Sequence, residues 1–155
     1  MKRISDIAVA DMTPQQLAEA STAAMWAADG ASQGLGMVLE AVAPGRSVVS
    51  MRVTDTMTNG HKTCHGGFIF TLADSAFAFA CNSYNQRAVA QMASISFLAP
   101  AFAGDYLRAE AHEVARAGRS GIYDIRVVNQ SSTTIAEFRG HSRTVKGTHL
   151  PLDPE

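Results

Sequence analysis

Asp74 is a lone carboxylate inside the apolar run Phe68 to Cys81, and eight residues before it stands Gly66, in the turn His65-Gly66-Gly67. Apolar residues stand around it at Phe70, Ala73, Phe77 and Ala78. A carboxylate in such company is costly unless paired or used, and burial raises its pKa toward the range of a general base for water. Two glycines at a helix start let a ligand come close to the backbone. The free N–H groups and the positive dipole end there favour negative charge. The spacing reads as an oxyanion donor, with the Gly66 N–H as the chosen group and Gly67 beside it in contact with substrate. Asp74 is then a buried base or nucleophile.

The two groups cannot easily serve one reaction from one chain. Eight residues of helix separate them by roughly 12 Å at about 1.5 Å per residue, whereas a reacting carbonyl must lie about 3 Å from its donor and beside its base. Two antiparallel copies of the helix bring the start of one beside the middle of the other. If both groups are catalytic, the site is shared between two chains.

The residues around this pair carry rival readings. Asn59-Gly60 suits a tight turn, and an Asn there can also orient a water. His65 either acts in the site or ties the loop to backbone. His61 and His65 are spaced as metal ligands on a helix would be, but the stretch reads as loop and no third ligand besides Cys64 stands out. No metal is expected. Cys64 beside His65 invites a thiol nucleophile, yet no third orienting residue is identifiable. Ser94 and Ser96 alternate with Ile95 and Phe97, so their hydroxyls share one sheet face, and Ser94 is the candidate substrate contact there. Arg116, Arg119, Arg139, Arg143 and Lys146 are the cations available for a polyphosphate.

The elements that must position these groups follow from the pattern. Thr13-Pro14 caps a helix over roughly 14–29. Met37–Val42 and Ser47–Val53 form a hairpin about Pro44-Gly45. Residues 54–64 are loop, and the apolar helix runs over about 66–82, apolar on every side and hence buried all round. Strands follow over Ala88–Leu98, Tyr106–Arg116, Ile122–Val128 and Thr133–Val145, and 147–155 reads as a loose tail. One helix between the second and third of six strands is an α+β layout, an antiparallel sheet of five to six strands wrapped around a long central helix, with an additional N-terminal helix.

With 155 residues the chain has room for one core, placed at about 35–147, with 1–34 as a helical extension. A hydrophobic content of 46% with 17% charged residues is ordinary for a globular domain. A net charge of −1 gives no electrostatic reason for nucleic acid or an anionic membrane as partner. Two cysteines make no disulfide framework, no basic-then-apolar leader opens the chain, and the longest apolar stretch is too short to span a bilayer. The expected location is the cytoplasm.

Taken together, Asn59-Gly60-His61, Cys64-His65-Gly66-Gly67, Leu72-Ala73-Asp74 and Ala78-Phe79-Ala80-Cys81-Asn82 resemble the hotdog-fold thioesterases, most closely their phenylacetic-acid-degradation (PaaI-type) branch. Ile95–Pro100, Ala103-Gly104-Asp105, Gly121–Ile125 and Phe138-Arg139-Gly140 fit the same pattern, so the likeness runs from about Leu35 to Gly147. Where the branch often has an acidic residue and an Arg, this chain has Ser96 and Ala99. The resemblance implies a hotdog fold and hydrolysis of an aryl-acetyl-CoA thioester, such as hydroxyphenylacetyl-CoA, in phenylacetate degradation. It also implies Asn59 as the group that orients water or thioester, Arg119 near the coenzyme A phosphates, and a dimer with sites astride its interface, paired into a homotetramer. No cofactor is expected, because coenzyme A is part of the substrate. The rivals are a non-catalytic acyl-CoA-binding module and a hotdog-fold hydratase. The hydratase needs Asp-x-Asn-Pro-x-His, where residues 55–61 read Asp-Thr-Met-Thr-Asn-Gly-His.

Overall fold

The computed structural model describes residues 3–152. Thr13 opens α1 (Pro14–Ala27) with a reciprocal capping box: its hydroxyl accepts from the Gln16 N–H while the Gln16 side chain accepts from the Thr13 N–H. A short second helix, α2 (Gly30–Gly34), follows; the glycines there gave it no sequence signal. The hairpin β1 (Val38–Ala43) and β2 (Arg46–Arg52) turns at Gly45, whose φ of 69° suits a glycine. Then come α3 (Gly66–Cys81), β3 (Gln86–Phe97), β4 (Tyr106–Ala117), β5 (Ser120–Val128) and β6 (Thr134–Thr148). The six strands form one antiparallel sheet in the order β1-β2-β4-β5-β6-β3, which is the expected α+β class.

The sheet curls around α3. Ile69, Leu72, Ala73, Ala76, Phe77 and Ala80 of the helix meet Val49, Met51, Leu107, Ala109, Tyr123, Ile125 and Phe138 of the strands in one apolar core. Close approach is bought with small residues: an added Cβ at Gly140 would lie 2.8 Å from three atoms of the Phe77 ring. Polar ties fix the helix along its length. Ser47 Oγ donates to the Ala76 carbonyl, Ser32 and Ser75 share a hydroxyl hydrogen bond of 2.8 Å, and Trp26 of α1 meets Phe79 with ring centroids 5.8 Å apart.

Two expectations need correction. The helix is not enclosed on every side by its own chain, because Phe68, Thr71, Asp74, Ser75 and Ala78 form a half-buried stripe at helical spacing. The segment after Val145 is not loose either. Strand β6 runs on to Thr148, and the Asn85 side chain then accepts from the His149 and Leu150 N–H groups at 3.1 and 2.8 Å. Asn85 can do this because it sits at a φ of 59°, a left-handed conformation that Asn tolerates. Buried Asn82 completes the anchor through His149 Nε2 at 2.7 Å. The rest of the expected tail, 153–155, lies outside the described residues.

Phe77 is buried and wedged against the rings of Tyr123 and Phe138, so it cannot yield to a new methyl at Gly140. Gly140→Ala is therefore expected to destabilise the fold by about 1–3 kcal/mol, the range for overpacking. Urea unfolding of the two proteins measures it, and an unchanged midpoint would contradict the tight packing of α3 on β6.

Candidate active site

The start of α3 is built by the loop before it. Asn59 Oδ1 accepts from the N–H groups of His61 and Thr63 and from the Thr63 hydroxyl, at 2.9, 3.3 and 3.2 Å. Its carbonyl oxygen therefore holds the turn together, while its amide N–H groups have no partner among the described residues. The loop end is pinned on two sides: the Cys64 N–H donates to the Ala101 carbonyl and the His65 N–H to the Met57 carbonyl, both at 2.7 Å. His65 is the helix cap. Its Nδ1 accepts from the Gly67 N–H at 2.9 Å, so the ring proton resides on Nε2, and its carbonyl accepts from Phe68. Of its two readings the structure shows the tie to backbone, and His65 is not among the residues that line the cavity beside Gly66.

With Gly67 and Phe68 so occupied, the Gly66 N–H is the donor at the helix start that has no partner among the described residues. It borders a cavity of about 380 Å³ between the start of α3 and the end of β3, lined by Thr63, Cys64, Ile69, Phe97, Leu98 and Pro100 among others. The Phe97 ring reaches Gly66 itself, for an added Cβ there would lie 2.9 Å from Phe97 Cζ. Phe97 had no assigned role in the sequence; its alternation with Ser96 was the only sign that it faces the helix.

Asp74 lies two turns along the same helix, on the half-buried stripe. Its carboxylate accepts no hydrogen bond from the described residues, and burial pushes its pKa up. Cys64 is a poor nucleophile, because burial and the Asp105 charge raise its thiol to about 11. Among the described residues no cluster of three or more His, Cys, Asp or Glu side chains could hold a metal.

The other candidates lie apart from this centre. Ser94 pairs with Arg139 across β3 and β6, and Ser96 with Glu137, which puts both hydroxyls on the outer sheet face. Ile95 and Phe97 face inward, toward α3. Ser94 is thus not brought to the Gly66 cavity. Arg119 sits in the β4–β5 turn, where Nε and Nη2 donate to the Thr144 carbonyl at 3.3 and 3.0 Å. It shares a second cavity of about 530 Å³ with Arg116, Lys146, Ser120, Ser142 and Thr144. Arg139 is held by Asp124 in a two-point ion pair of 2.6 and 2.8 Å.

A free backbone donor at a helix start and a half-buried acid two turns further on stand on one antiparallel sheet wrapped around a helix, and comparison with known proteins identifies the family. The profile of the Thioesterase superfamily matches residues 61–136. Acyl-coenzyme A thioesterase PaaI of Escherichia coli K12 is 47% identical over 125 residues, 81% of this chain and 89% of that protein. The solved E. coli PaaI protein, described as from the phenylacetic acid degradation operon, superposes with a TM-score of 0.86 at 44% identity, covering 88% of this chain and 99% of that one. A mutant phenylacetic acid degradation protein PaaI from Thermus thermophilus gives 0.73 at 35% identity, covering 76% and 100%. The chain belongs to the thioesterase superfamily and, within it, to the PaaI-type acyl-CoA thioesterases. It is a thioester hydrolase of hotdog fold.

The raised pKa of Asp74 has a stability consequence of definite sign. The folded state holds the Asp74 proton more tightly than the unfolded chain does, so stability falls as pH rises from the ordinary carboxylate value of 3.8 through the raised one. Asp74→Asn removes that loss. The variant is expected to melt higher than the wild type at pH 7, and the gap is expected to shrink toward pH 3. Equal melting-temperature differences at both pH values would mean that Asp74 is ionised at no cost.

Gly66→Ala tests the contact with Phe97. The new methyl must displace the ring tip, and the cost of the substitution then depends on Phe97. Phe97→Ala in the same chain relieves the clash, and a double-mutant cycle on unfolding free energies is expected to be non-additive. Strict additivity would mean that the ring does not press on the helix start.

Proposed function

We propose that this chain hydrolyses aryl-acetyl-CoA thioesters, hydroxyphenylacetyl-CoA being one, to the free acid and coenzyme A. The observation that carries this reading is the unpartnered Gly66 N–H at the start of a sixteen-residue helix, opening onto a mainly apolar cavity. The aryl-acetyl choice draws on the likeness to PaaI from the phenylacetic acid degradation operon.

In the proposed reaction the thioester carbonyl accepts from the Gly66 N–H, with the helix dipole adding to the donor. Asp74 of a second copy takes a proton from water as the water oxygen attacks the carbonyl carbon and passes that proton to the departing sulfur, or attacks that carbon directly to form an acyl–Asp anhydride that water then hydrolyses to the free acid. The C–S bond breaks and coenzyme A leaves as the thiol. Asn59 positions the water or the thioester through its free amide N–H groups, and His65 keeps the Gly67 N–H engaged so that Gly66 alone faces the carbonyl. Arg119, with Arg116 and Lys146 around the same cavity, offers the positive charge that the phosphates of coenzyme A require.

Two surfaces support a second copy as the source of the acid. Strand β3 is an edge strand of twelve residues. Val89 and Met92 on it, and Leu98 and Phe102 just after, are exposed large apolar side chains. A long apolar edge invites pairing with a like strand. The half-buried stripe of α3 carries Asp74 on another face that a copy would cover. A dimer closed by two-fold symmetry has two such sites, and pairing of dimers gives the homotetramer.

Asp74→Asn is expected to keep the fold and lower turnover by roughly 10²–10⁴-fold, the span for a positioned acid–base group. Thiol release from phenylacetyl-CoA measures it, and near-normal release would remove Asp74 from the chemistry. The wild-type rate is expected to fall as pH drops through the raised pKa of Asp74, since only the ionised form acts.

Gly66→Ala keeps the N–H, but its methyl is expected to hold the carbonyl away from it and lower turnover, so mixing Asp74→Asn chains with Gly66→Ala chains and letting subunits exchange tests the shared site. Each mixed dimer regains one site with both groups intact, so activity is expected to rise toward about half of wild type per mixed dimer. Exchange that restores nothing would confine the chemistry to one chain.

A further inference from the structure

Phe97 is the last residue of β3, and its side chain is placed unlike the other exposed aromatics. Its inward-facing ring stands opposite Ala136, a buried residue too small to fill the space beside it. The ring tip instead reaches across to Gly66, while the ring as a whole remains 52% exposed. Leu98 and Pro100 border the same cavity and Ile69 lies in its wall, giving a space of about 380 Å³. That is at the small end of ligand pockets, which run from roughly 300 to 1,000 Å³. A half-exposed phenyl ring beside a free backbone donor is not needed to close the core, because the core residues around Phe77 are complete without it.

We propose that Phe97 sets the acyl preference of the site by presenting its ring to an aromatic acyl group whose carbonyl rests on Gly66. This deepens the thioesterase reading above and rests on it. The geometry runs as a short chain of contacts. A carbonyl oxygen accepting from the Gly66 N–H lies about 3 Å from that nitrogen. In an aryl-acetyl group the ring begins one methylene beyond the carbonyl carbon. The ring tip of Phe97 lies 2.9 Å from where a Cβ on Gly66 would stand, which brings an aryl group held at Gly66 toward the separation of roughly 4.5–7 Å at which aromatic pairs attract. Ring edges are positive and faces negative, so an edge-to-face pair gains over an aliphatic chain in the same volume. A flexible alkyl chain keeps its burial but loses that term. The preference is therefore one of shape and quadrupole, and Phe97→Leu removes it with little change in apolar character.

The test measures kcat/KM for phenylacetyl-CoA and hexanoyl-CoA on the wild type, Phe97→Leu and Phe97→Tyr, with Phe97→Met as a second ring-free variant should the Leu variant fold poorly. An aromatic pair is worth about 0.5–1.5 kcal/mol beyond its buried area, which converts to roughly 2- to 13-fold. The Leu and Met variants are expected to lower the phenylacetyl-to-hexanoyl ratio by that factor, and the Tyr variant, which keeps the ring, to retain the wild-type ratio. A loss equal for both substrates would make Phe97 a packing or dimer contact and overturn the proposal, as would an unchanged ratio in the ring-free variants. A wild type that releases no thiol from phenylacetyl-CoA overturns the aryl-acetyl-CoA reading itself, a failure visible before any variant is compared.

Discussion

Everything at this site hangs on a helix with two different solvents. Along its inner side α3 is packed dry against β2, β4, β5 and β6, with Phe77, Ala76 and Ala80 fully buried. Along the other it carries Thr71, Asp74, Ser75 and Ala78 in partial contact with water. The sheet can curl tightly enough to do the first only because Gly140 gives way where Phe77 presses on it. The second leaves a carboxylate half-withdrawn from water with no hydrogen bond from the described residues to offset the loss. Its raised pKa expresses that imbalance, which is tolerable because the rest of the helix is so heavily buried.

Legibility in the sequence followed how local each signal was. The N-terminal cap of α1 and the start of α3 at Gly66 are written in adjacent residues, and both begin where expected. The ends of β6 and its tail were misread because their cause is distant. Asn82 and Asn85 sit more than sixty residues before His149 and hold it through side-chain hydrogen bonds that no local pattern announces. Helix α2 was missed for the opposite reason: Gly30 and Gly34 argue against a helix, while Asp29 caps it by accepting from the Ser32 N–H and hydroxyl.

The site was legible in its residue types and less so in their partners. Gly66 and Asp74 could be picked out because a glycine pair and a lone acid stand out against an apolar run. The division of labour between His65 and Gly66 could not, since it depends on which N–H the imidazole takes. Serine alternation in β3 gave the right periodicity but not the face. The cross-strand partners Arg139 and Glu137 turn Ser94 and Ser96 outward and leave the inward position to Phe97.

The loop before α3 links these parts more closely than their separation in sequence suggests. Thr63 bridges to Phe102, and the Cys64 N–H is held by the Ala101 carbonyl, so the residues that set the direction of the helix start are tied to the segment that leaves β3. That same segment carries Leu98 and Pro100, which line the cavity beside Gly66. The helix start and the wall of the cavity beside it are therefore joined through backbone. On the proposed reading, a second chain packed along the open edge of β3 would bear on the Gly66 N–H through these two backbone contacts. In the proposed mechanism such contacts hold the donor in place before the carbonyl arrives, and stabilisation of a developing oxyanion is strongest where the donor needs no reorganisation.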